Sequence, residues 1–214
     1  MKYPKELIDE VKRRSEGMRL EGLNEGEGPV HPQLMIIGEA PGRDELVSHR
    51  PFSGDSGKEL IRSLASIGLK REDVYITSAV RSRPYGVKEV FSKRENKNVI
   101  KYPNRKPIKK EILAHAPFLD YEIAKIEPNL IVTVGNVGLE RLLGSGHKIS
   151  QEHGTVIKDT PILELNAKKD GYVWSQKHYT IFPQYHPAAV FYNRKLTADI
   201  EKDWQIIKLY LEKK

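Results

Sequence analysis

Three residues that could act together in catalysis each follow or lie near an apolar run of this chain. Glu39 comes directly after LMIIG, Phe52 lies in the RPFSG segment, and His186 follows YTIFPQY. A carboxylate in a rigid turn can orient or deprotonate a water molecule, and an imidazole can donate to an oxygen that gains negative charge. With an aromatic ring beside them, these types indicate a pocket for one flat, polar ring.

Each of these residues also has an ordinary structural interpretation. Glu39 could cap a neighbouring turn, Phe52 could belong to the core, and His186 could be a hydrogen-bonded structural residue. Ser56, in GDSGK at 54–58, could receive a phosphate at a helix start or simply cap that helix. The single residues leave these alternatives open.

The GDSGK segment fits neither of two enzyme classes that it resembles in part. A phosphate-binding P-loop needs Gly at position 52 and Ser or Thr at position 59, where this chain has Phe52 and Glu59. A serine protease would need β-strands around GDSG, whereas a helical pattern follows Gly57. Neither activity is expected.

Four apolar runs predict the buried strands that must position these residues, at 34–38, 74–80, 130–135 and 179–185. Helical spacing occurs at 57–67, 108–126, 137–143 and 196–211, after a leading helix at 1–14. This alternation predicts an α/β fold with three layers, α/β/α, around a central, mainly parallel four-stranded sheet. Residues 154–178 predict a β-hairpin and a loop before the last strand. The motif residues follow strand ends, which converge at one edge of a parallel sheet.

Composition narrows the class of protein. A chain of 214 residues with 38% hydrophobic and 30% charged residues predicts one domain over 1–214. We expect a cytoplasmic protein without a membrane partner, because no run approaches the roughly 18 apolar residues of a membrane span and the N-terminus lacks a signal peptide. Cysteine is absent, which excludes disulfides, thiolate nucleophiles and cysteine-bound clusters.

Positive charge is concentrated in one segment. From Arg81 to Lys110 the chain has eleven Lys or Arg against Glu89 and Glu95, a net charge of +9, whereas the formal charge of the whole chain is +7 and the remainder sums to about −2. Such a patch suits phosphate backbones. A solvated, partly disordered loop is the alternative.

Six motifs together resemble the uracil-DNA glycosylase superfamily, and most closely its family 4, the iron-sulfur type. They are GEAPG, RPFSGDSG, VYITSAVRSRP, NRKP, LIVTVGNVGLERLLG and YHPAAV, and the resemblance extends from about residue 12 to the C-terminal helix. It implies a monomer that binds DNA containing uracil or another deaminated base and flips the base out of the stack. No cofactor or metal is expected for the chemistry.

The resemblance also implies a role for individual residues. Phe52 would stack on the base, Glu39 would hold the attacking water or contact the base, and the backbone N–H of Ala40 would receive a uracil oxygen. His186 would hydrogen-bond O2 of the leaving base. Candidate DNA contacts are Phe191 or Tyr192 in the gap left by the flipped nucleotide and, on the phosphates, Ser53, Ser56, Arg83, Arg194 and Lys195.

Three departures from family 4 stand out. The four cluster cysteines align with Ser15, Met18, Ser82 and His115. The family reads the base with an asparagine after VYIT, where this chain has Ser78, which puts the specificity for uracil in doubt. A basic insertion at about 86–107 separates SRPYG from NRKP and is expected to pack along DNA or fold over the site.

The leading hypothesis is a monofunctional DNA glycosylase that removes uracil or a related deaminated base. The alternative from another class is a catalytically weak or silent member that binds damaged or single-stranded DNA. A small-molecule nucleotide hydrolase would fit the pocket but would leave the basic segment and the loop AAVFYNRK unexplained.

Overall fold

The computed structural model describes residues 1–213, in which helices and strands alternate. The strands are β1 (Leu20–Glu21), β2 (Met35–Gly38), β3 (Tyr75–Ser78), β4 (Arg83–Pro84), β5 (Lys88–Ser92), β6 (Lys97–Lys101), β7 (Ile131–Val134), β8 (Ile157–Leu165) and β9 (Tyr172–Gln184). The helices are α1 (Lys5–Arg14), α2 (Arg43–Ser48), α3 (Asp55–Ser66), α4 (Lys109–Ile126), α5 (Asn136–Leu143), α6 (Ile149–Glu152), α7 (Ala189–Tyr192) and α8 (Leu196–Leu211), with a 3-10 turn at Arg71–Asp73. Within the described residues, no helix combines the length and the apolar character needed to cross a bilayer.

The central sheet has the strand order β3-β2-β7-β9-β8. Its first four strands are parallel and correspond to the four predicted runs. The sheet has five strands rather than four, because β8 pairs antiparallel with β9 at the edge. The predicted loop before the last strand is wrong: after the hairpin turn, β9 continues without a break into the predicted last strand.

Alternation along β2 sends side chains to two separate cores. Ile36 packs in a cluster with Leu64 and Trp204, from α3 and α8. Its neighbour Ile37 packs on the other face with Leu119 of α4 and other residues of that helix and α5. Because successive side chains of a strand point to opposite faces, an uninterrupted apolar run is what a strand covered on both sides requires. The fold is thus a three-layer α/β/α arrangement.

Helix α1 packs on α4 and compensates for a proline inside it. Pro117 has no N–H to donate to the carbonyl of Leu113, four residues earlier in α4. The guanidinium of Arg14 donates to that carbonyl at 2.8 Å and to the carbonyl of Ala114 at 3.3 Å. Arg14 therefore satisfies the Leu113 carbonyl, which the proline would otherwise leave without a donor.

A fully buried carboxylate joins α4 to the end of β3. Glu122 accepts hydrogen bonds from the hydroxyls of Tyr3 (2.6 Å), Tyr75 (2.9 Å) and Thr77 (2.7 Å), and it forms a salt bridge with buried Arg81. Burial raises the pKa of the Tyr75 hydroxyl, with the Glu122 charge adding to the rise. The four donors compensate for the cost of removing the carboxylate from water.

The basic insertion folds as a two-stranded hairpin outside the central sheet. Strands β5 and β6 pair antiparallel, with Val90 opposite Val99. Tyr85, before β5, and Asn104, after β6, form a further antiparallel bridge that extends this two-stranded ribbon. The hairpin is ordered secondary structure, in contrast to the disordered loop that the charge pattern also allowed.

We predict that Glu122→Gln lowers the free energy of unfolding by about 3–5 kcal/mol, because it leaves the Arg81 charge buried without a counter-charge. Urea denaturation measures the loss. The matched control is Glu127→Gln, which removes the exposed partner of Lys177 and should have a much smaller effect. Equal losses of unfolding free energy in the two variants would show that the buried ion pair stabilises the fold no more than the exposed one does.

Candidate active site

A cavity of about 580 Å³ opens at the carboxyl edge of the parallel strands. Its lining includes Glu39 after β2, Ser78 at the end of β3 and His186, two residues after β9. This volume is typical of sites for small organic ligands. The other predicted site residues in the lining are Ala40, Phe52, Ser56, Phe191 and Tyr192.

The ring of Phe52 lies in this cavity because two glycines leave room for its segment. A Cβ at Gly38 would lie 2.7 Å from the Phe52 ring, and a Cβ at Gly57 would lie 1.9 Å from the Phe52 carbonyl oxygen. Phe52 itself has a φ of 52°, in the left-handed region that aromatic residues rarely adopt. This placement differs from a simple core role, since the ring is only partly buried and faces the imidazole of His186 at 5.7 Å between ring centroids.

An ion-pair network holds the Phe52 segment in that conformation. Arg71 donates to the carbonyls of Pro51 and Phe52 and forms a salt bridge with Glu27 at 2.8 Å. Burial alone would raise the pKa of Glu27, but hydrogen bonds from Arg50 and Arg71 outweigh that effect and lower it. Glu27 thus stays ionised, and Arg71 stays aimed at the turn.

The Glu39 carboxylate forms no hydrogen bond with the residues that the structure describes, and it does not cap the following turn. The cap comes from Glu45, which accepts from the N–H of Gly42 at 2.9 Å. Burial raises the pKa of Glu39, and the charge of Lys106 partly offsets this. A desolvated carboxylate with free lone pairs can accept a proton from a water molecule.

The geometry of His186 fixes its tautomer. The backbone N–H of Ala188 donates to Nδ1 of His186 at 3.2 Å. Burial lowers the pKa of the imidazole to about 4, so the ring is neutral at pH 7. With Nδ1 accepting, the single proton sits on Nε2, and the ring can donate from that atom.

Ser78 lies in the cavity wall with its hydroxyl already engaged. It donates to the carbonyl of Val80 at 2.8 Å and is almost fully buried. Its oxygen keeps lone pairs for a ligand donor, but its proton is taken. An asparagine would offer the ligand both a donor and an acceptor.

Ser56 lies in the first turn of α3 and is not the helix cap, because the N-cap residue is Gly54. The first N–H groups of a helix have no partner within the helix, so this end of α3 suits an anion. Phe191 and Tyr192, also in the lining, belong to the short helix α7 and are 53% and 91% exposed. Large apolar side chains this exposed are available to a partner.

The remaining predicted contacts lie outside the cavity lining. Ser53 is exposed and hydrogen-bonds Ser48 at 2.6 Å. Arg194 and Lys195 are exposed just after α7. Arg83 is not brought to this surface: it is 2% exposed and binds Glu21, Asn104 and the Tyr102 carbonyl. The guanidinium of Arg83 is therefore not available to a phosphate, contrary to the contact predicted from the sequence.

Several lining residues were not singled out from the sequence. Asn104, Arg105 and Lys106 belong to the NRKP motif, which was matched without assigning any of its residues a role. Asn24 and Arg81 also line the cavity, although both are buried by neighbouring segments. The motif match was the one signal that could have identified the first three.

The residues at the four cluster positions do not suit an iron-sulfur cluster. They lie where α1, α4 and the segment after β3 meet: Ser82 donates to the carbonyl of Gly22 at 2.6 Å, and Nδ1 of His115 accepts from the N–H of Arg81 at 3.2 Å. Burial lowers the pKa of His115 to about 3. Ser15 and Met18 add a hydroxyl and a thioether, so the set lacks the thiolates that hold such clusters.

Comparison with known proteins agrees with this geometry. A model of the uracil DNA glycosylase superfamily matches residues 25–208. The chain is 34% identical over 192 residues to a protein of Saccharolobus solfataricus, covering 88% of this chain and 76% of that one. It is 33% identical over 186 residues to a protein of Sulfurisphaera tokodaii (86% and 72% covered) and 32% identical over 183 residues to one of Archaeoglobus fulgidus (85% and 78%).

Each of these three proteins is named a type-4 uracil-DNA glycosylase. The matched region runs from the segment before β2 into α8, so it contains every residue that lines the cavity except Asn24. The chain belongs to the uracil-DNA glycosylase superfamily.

Proposed function

We propose that this protein hydrolyses the N-glycosidic bond of uracil, or of a related deaminated base, in DNA and leaves an abasic site. The observation that carries the proposal is that Glu39, Phe52 and His186, from three separate loops, line one cavity. An aromatic face, an ionisable carboxylate and a neutral imidazole donor are the groups that departure of a flat base requires. The relatives named as type-4 uracil-DNA glycosylases support the substrate class.

In the proposed complex the base enters the cavity as an extrahelical nucleotide. Phe52 stacks on one face of the base, and the N–H of Ala40 donates to a base oxygen. The left-handed conformation of Phe52 is set before the ligand arrives, so little ordering entropy is lost on binding. Phe191 or Tyr192 fills the space in the DNA stack, while Ser53, Ser56, Arg194 and Lys195 contact phosphates.

Residues of the cavity assist cleavage on both sides of the glycosidic bond, at the departing base and at the sugar. As the C1′–N1 bond breaks, its electron pair moves onto the base, and the Nε2–H of His186 donates to O2, where negative charge develops. The sugar becomes oxocarbenium-like. Glu39 orients a water molecule, whose oxygen bonds to C1′ while its proton passes to the carboxylate or to solvent. The base anion then takes up a proton.

A second candidate is a damaged-DNA-binding protein without useful catalysis. The observation that favours it is the occupied hydroxyl of Ser78, which cannot donate to the base without leaving the Val80 carbonyl. The monomeric state and the cytoplasmic location expected from the sequence stay predictions.

The proposal is tested with oligonucleotides that carry uracil, hypoxanthine or xanthine, single-stranded and opposite each base, followed by alkaline cleavage at abasic sites. We expect cleavage of at least one substrate and a fall of about 10²–10³-fold in the single-turnover rate for His186→Ala, because one preorganised donor is lost. Glu39→Gln should lose about 10²–10⁴-fold.

The matched controls are His178→Ala and Glu127→Gln, which change exposed residues outside the cavity lining and should cleave at the rate of the parent protein. Tight binding of damaged DNA with no cleavage of any substrate would favour the second candidate. Full activity in Glu39→Gln and His186→Ala would overturn the assigned roles.

The rate of base excision should depend on pH because the protonation state of Glu39 does. Because burial raises its pKa, the carboxylate takes up a proton as the pH falls, and activity should be lost on the acid side. His186 stays neutral there until about pH 4. We predict that Lys106→Met moves this acid limb to higher pH, since it removes the charge that lowers the pKa of Glu39.

Single-turnover rates at saturating enzyme, measured from pH 4.5 to 9, check this prediction without interference from DNA binding. Lys110→Met is the control for the loss of one positive charge, because Lys110 is exposed and outside the cavity lining. An acid limb that stays in place in Lys106→Met, or that moves equally in both variants, would exclude this coupling.

Base selectivity should respond to position 78. We predict that Ser78→Asn raises the kcat/KM ratio for uracil over hypoxanthine by about tenfold, because an amide adds a donor and an acceptor and one unmatched hydrogen bond costs roughly 1–3 kcal/mol. Ser150→Asn, an exposed position on α6, is the control. A kcat/KM ratio that stays at the parent value would show that position 78 does not determine base selectivity.

A further inference from the structure

The β5–β6 hairpin is a projecting element that the proposed chemistry does not use. Its residues 88–101 carry five Lys or Arg and two Glu, a net charge of +3. Apart from the valine pair and Ser92, its side chains are exposed. Neither strand joins the central sheet.

Most of its cations have no acidic partner. Lys97 pairs with Glu95 at 3.1 Å, whereas no salt bridge within residues 1–213 involves the other four, which are Lys88, Lys93, Arg94 and Lys101. Lys88 and Lys101 face each other across the two strands. Holding like charges side by side is unfavourable unless an anion compensates them, so this arrangement points to an anionic partner.

The hairpin is fixed beside the cavity rather than at a remote surface. Arg43 and Asn104 line both the cavity and the groove at the base of the hairpin, and Arg43 also donates to the Tyr102 carbonyl at 3.4 Å. Buried Arg83 holds the same base by donating to Oδ1 of Asn104 at 2.5 Å. A polymer with one unit in the cavity therefore passes within reach of the hairpin.

The face opposite to Lys88 and Lys101 carries two exposed apolar side chains. By strand register Phe91 and Ile100 lie on it together with Glu89 and Asn98, and each of the two apolar residues is 59% exposed. A second copy of this chain could cover that face, but two hairpins of +3 charge would repel each other. Nucleic acid suits the charge of the hairpin, because its phosphates can bind the cations on the face of Lys88 and Lys101 and at the turn.

We propose that the β5–β6 hairpin is a second DNA-binding element, whose cations contact backbone phosphates beside the nucleotide held in the cavity. This inference rests on the proposed function only in taking DNA as the substrate. The hairpin extends the contacted length of DNA beyond α7 and the first turn of α3. It raises affinity without taking part in bond cleavage.

The test is the salt dependence of binding. Fluorescence anisotropy gives Kd for a labelled duplex containing one 2′-fluorinated deoxyuridine, which resists hydrolysis, between 50 and 300 mM KCl. The hairpin variant combines Lys88→Gln, Lys93→Gln, Arg94→Gln and Lys101→Gln. In a duplex each phosphate contact contributes about −0.9 to the slope of log K against log salt, so the loss of two to four contacts should make the slope less negative by about 1.8–3.6.

The charge-matched control combines Lys2→Gln, Lys5→Gln, Lys12→Gln and Lys168→Gln, four exposed lysines outside the cavity lining. A change in slope of less than about 1.8 in the hairpin variant, or an equal change in the control, overturns the proposal. The single-turnover rate at saturating enzyme should be the same in the hairpin variant and the parent protein, and a drop of tenfold or more would instead place the hairpin in catalysis and overturn it.

A second variant replaces residues 88–101 with Asn-Gly, a two-residue turn that closes the ribbon. This variant should show the same change in salt slope as the four-residue variant, and its thermal unfolding midpoint should equal that of the parent protein. If sedimentation shows that the parent is a dimer and this variant a monomer with the parent's slope, self-association is the role of the hairpin instead. If the parent protein excises no base, but both hairpin variants still have a less negative salt slope than the parent, the proposed function is overturned and the DNA-binding role of the hairpin stands.

Discussion

Hydrogen bonds from the Arg71 guanidinium to the carbonyls of Pro51 and Phe52 hold an aromatic ring against the end of the parallel sheet. Without them the left-handed conformation of Phe52, which costs about 1–3 kcal/mol, would relax. The glycines at 38 and 57 remove the side chains that would collide with this segment. The position of Phe52, and with it the shape of the cavity, follows from this one cluster of contacts.

The cavity floor depends in turn on a charge buried beneath it. Arg81 contributes to the lining, yet its guanidinium points back to Glu122 in α4 and to the hydroxyl of Tyr3 at 3.0 Å. The segment after β3 is thereby connected both to α4 and to Tyr3, two residues before α1. Hydrogen bonds and ion pairs, with no thiolate among them, connect these segments.

The sequence was most informative where local pattern decides the structure. The period of apolar residues predicted α8 at 196–211, the range that the structure shows, and the apolar runs predicted the four parallel strands. The continuity of β9 was missed because the polar run SQKH at 175–178 separates YVW from YTIFPQ, so the hairpin and the last strand were predicted as separate elements. The motifs also predicted which loops would meet, since strand ends in such a sheet share one edge.

Long-range pairing could not be predicted in the same way. Arg81 and Arg83 lie in the same short polar segment. Their neighbours in the sequence do not indicate that both are buried, with partners 20 or more residues away. Glu122 looks like a surface residue of a helix, although its four partners come from other elements. Whether a charge is buried depends on partners that only the folded chain brings together.

Strand β9 connects two very different parts of the molecule. Its thirteen residues begin at the tip of the β8–β9 hairpin and end two residues before His186, and at about 3.3 Å per residue the two ends lie roughly 40 Å apart. The turn at 166–171 is closed by its own contacts, including the Asn166 amide with Asp170 at 2.8 Å. This turn is consequently a suitable attachment point for a fluorophore or an affinity handle, since a probe there would be carried rigidly with the imidazole and yet stay clear of any nucleotide in the cavity.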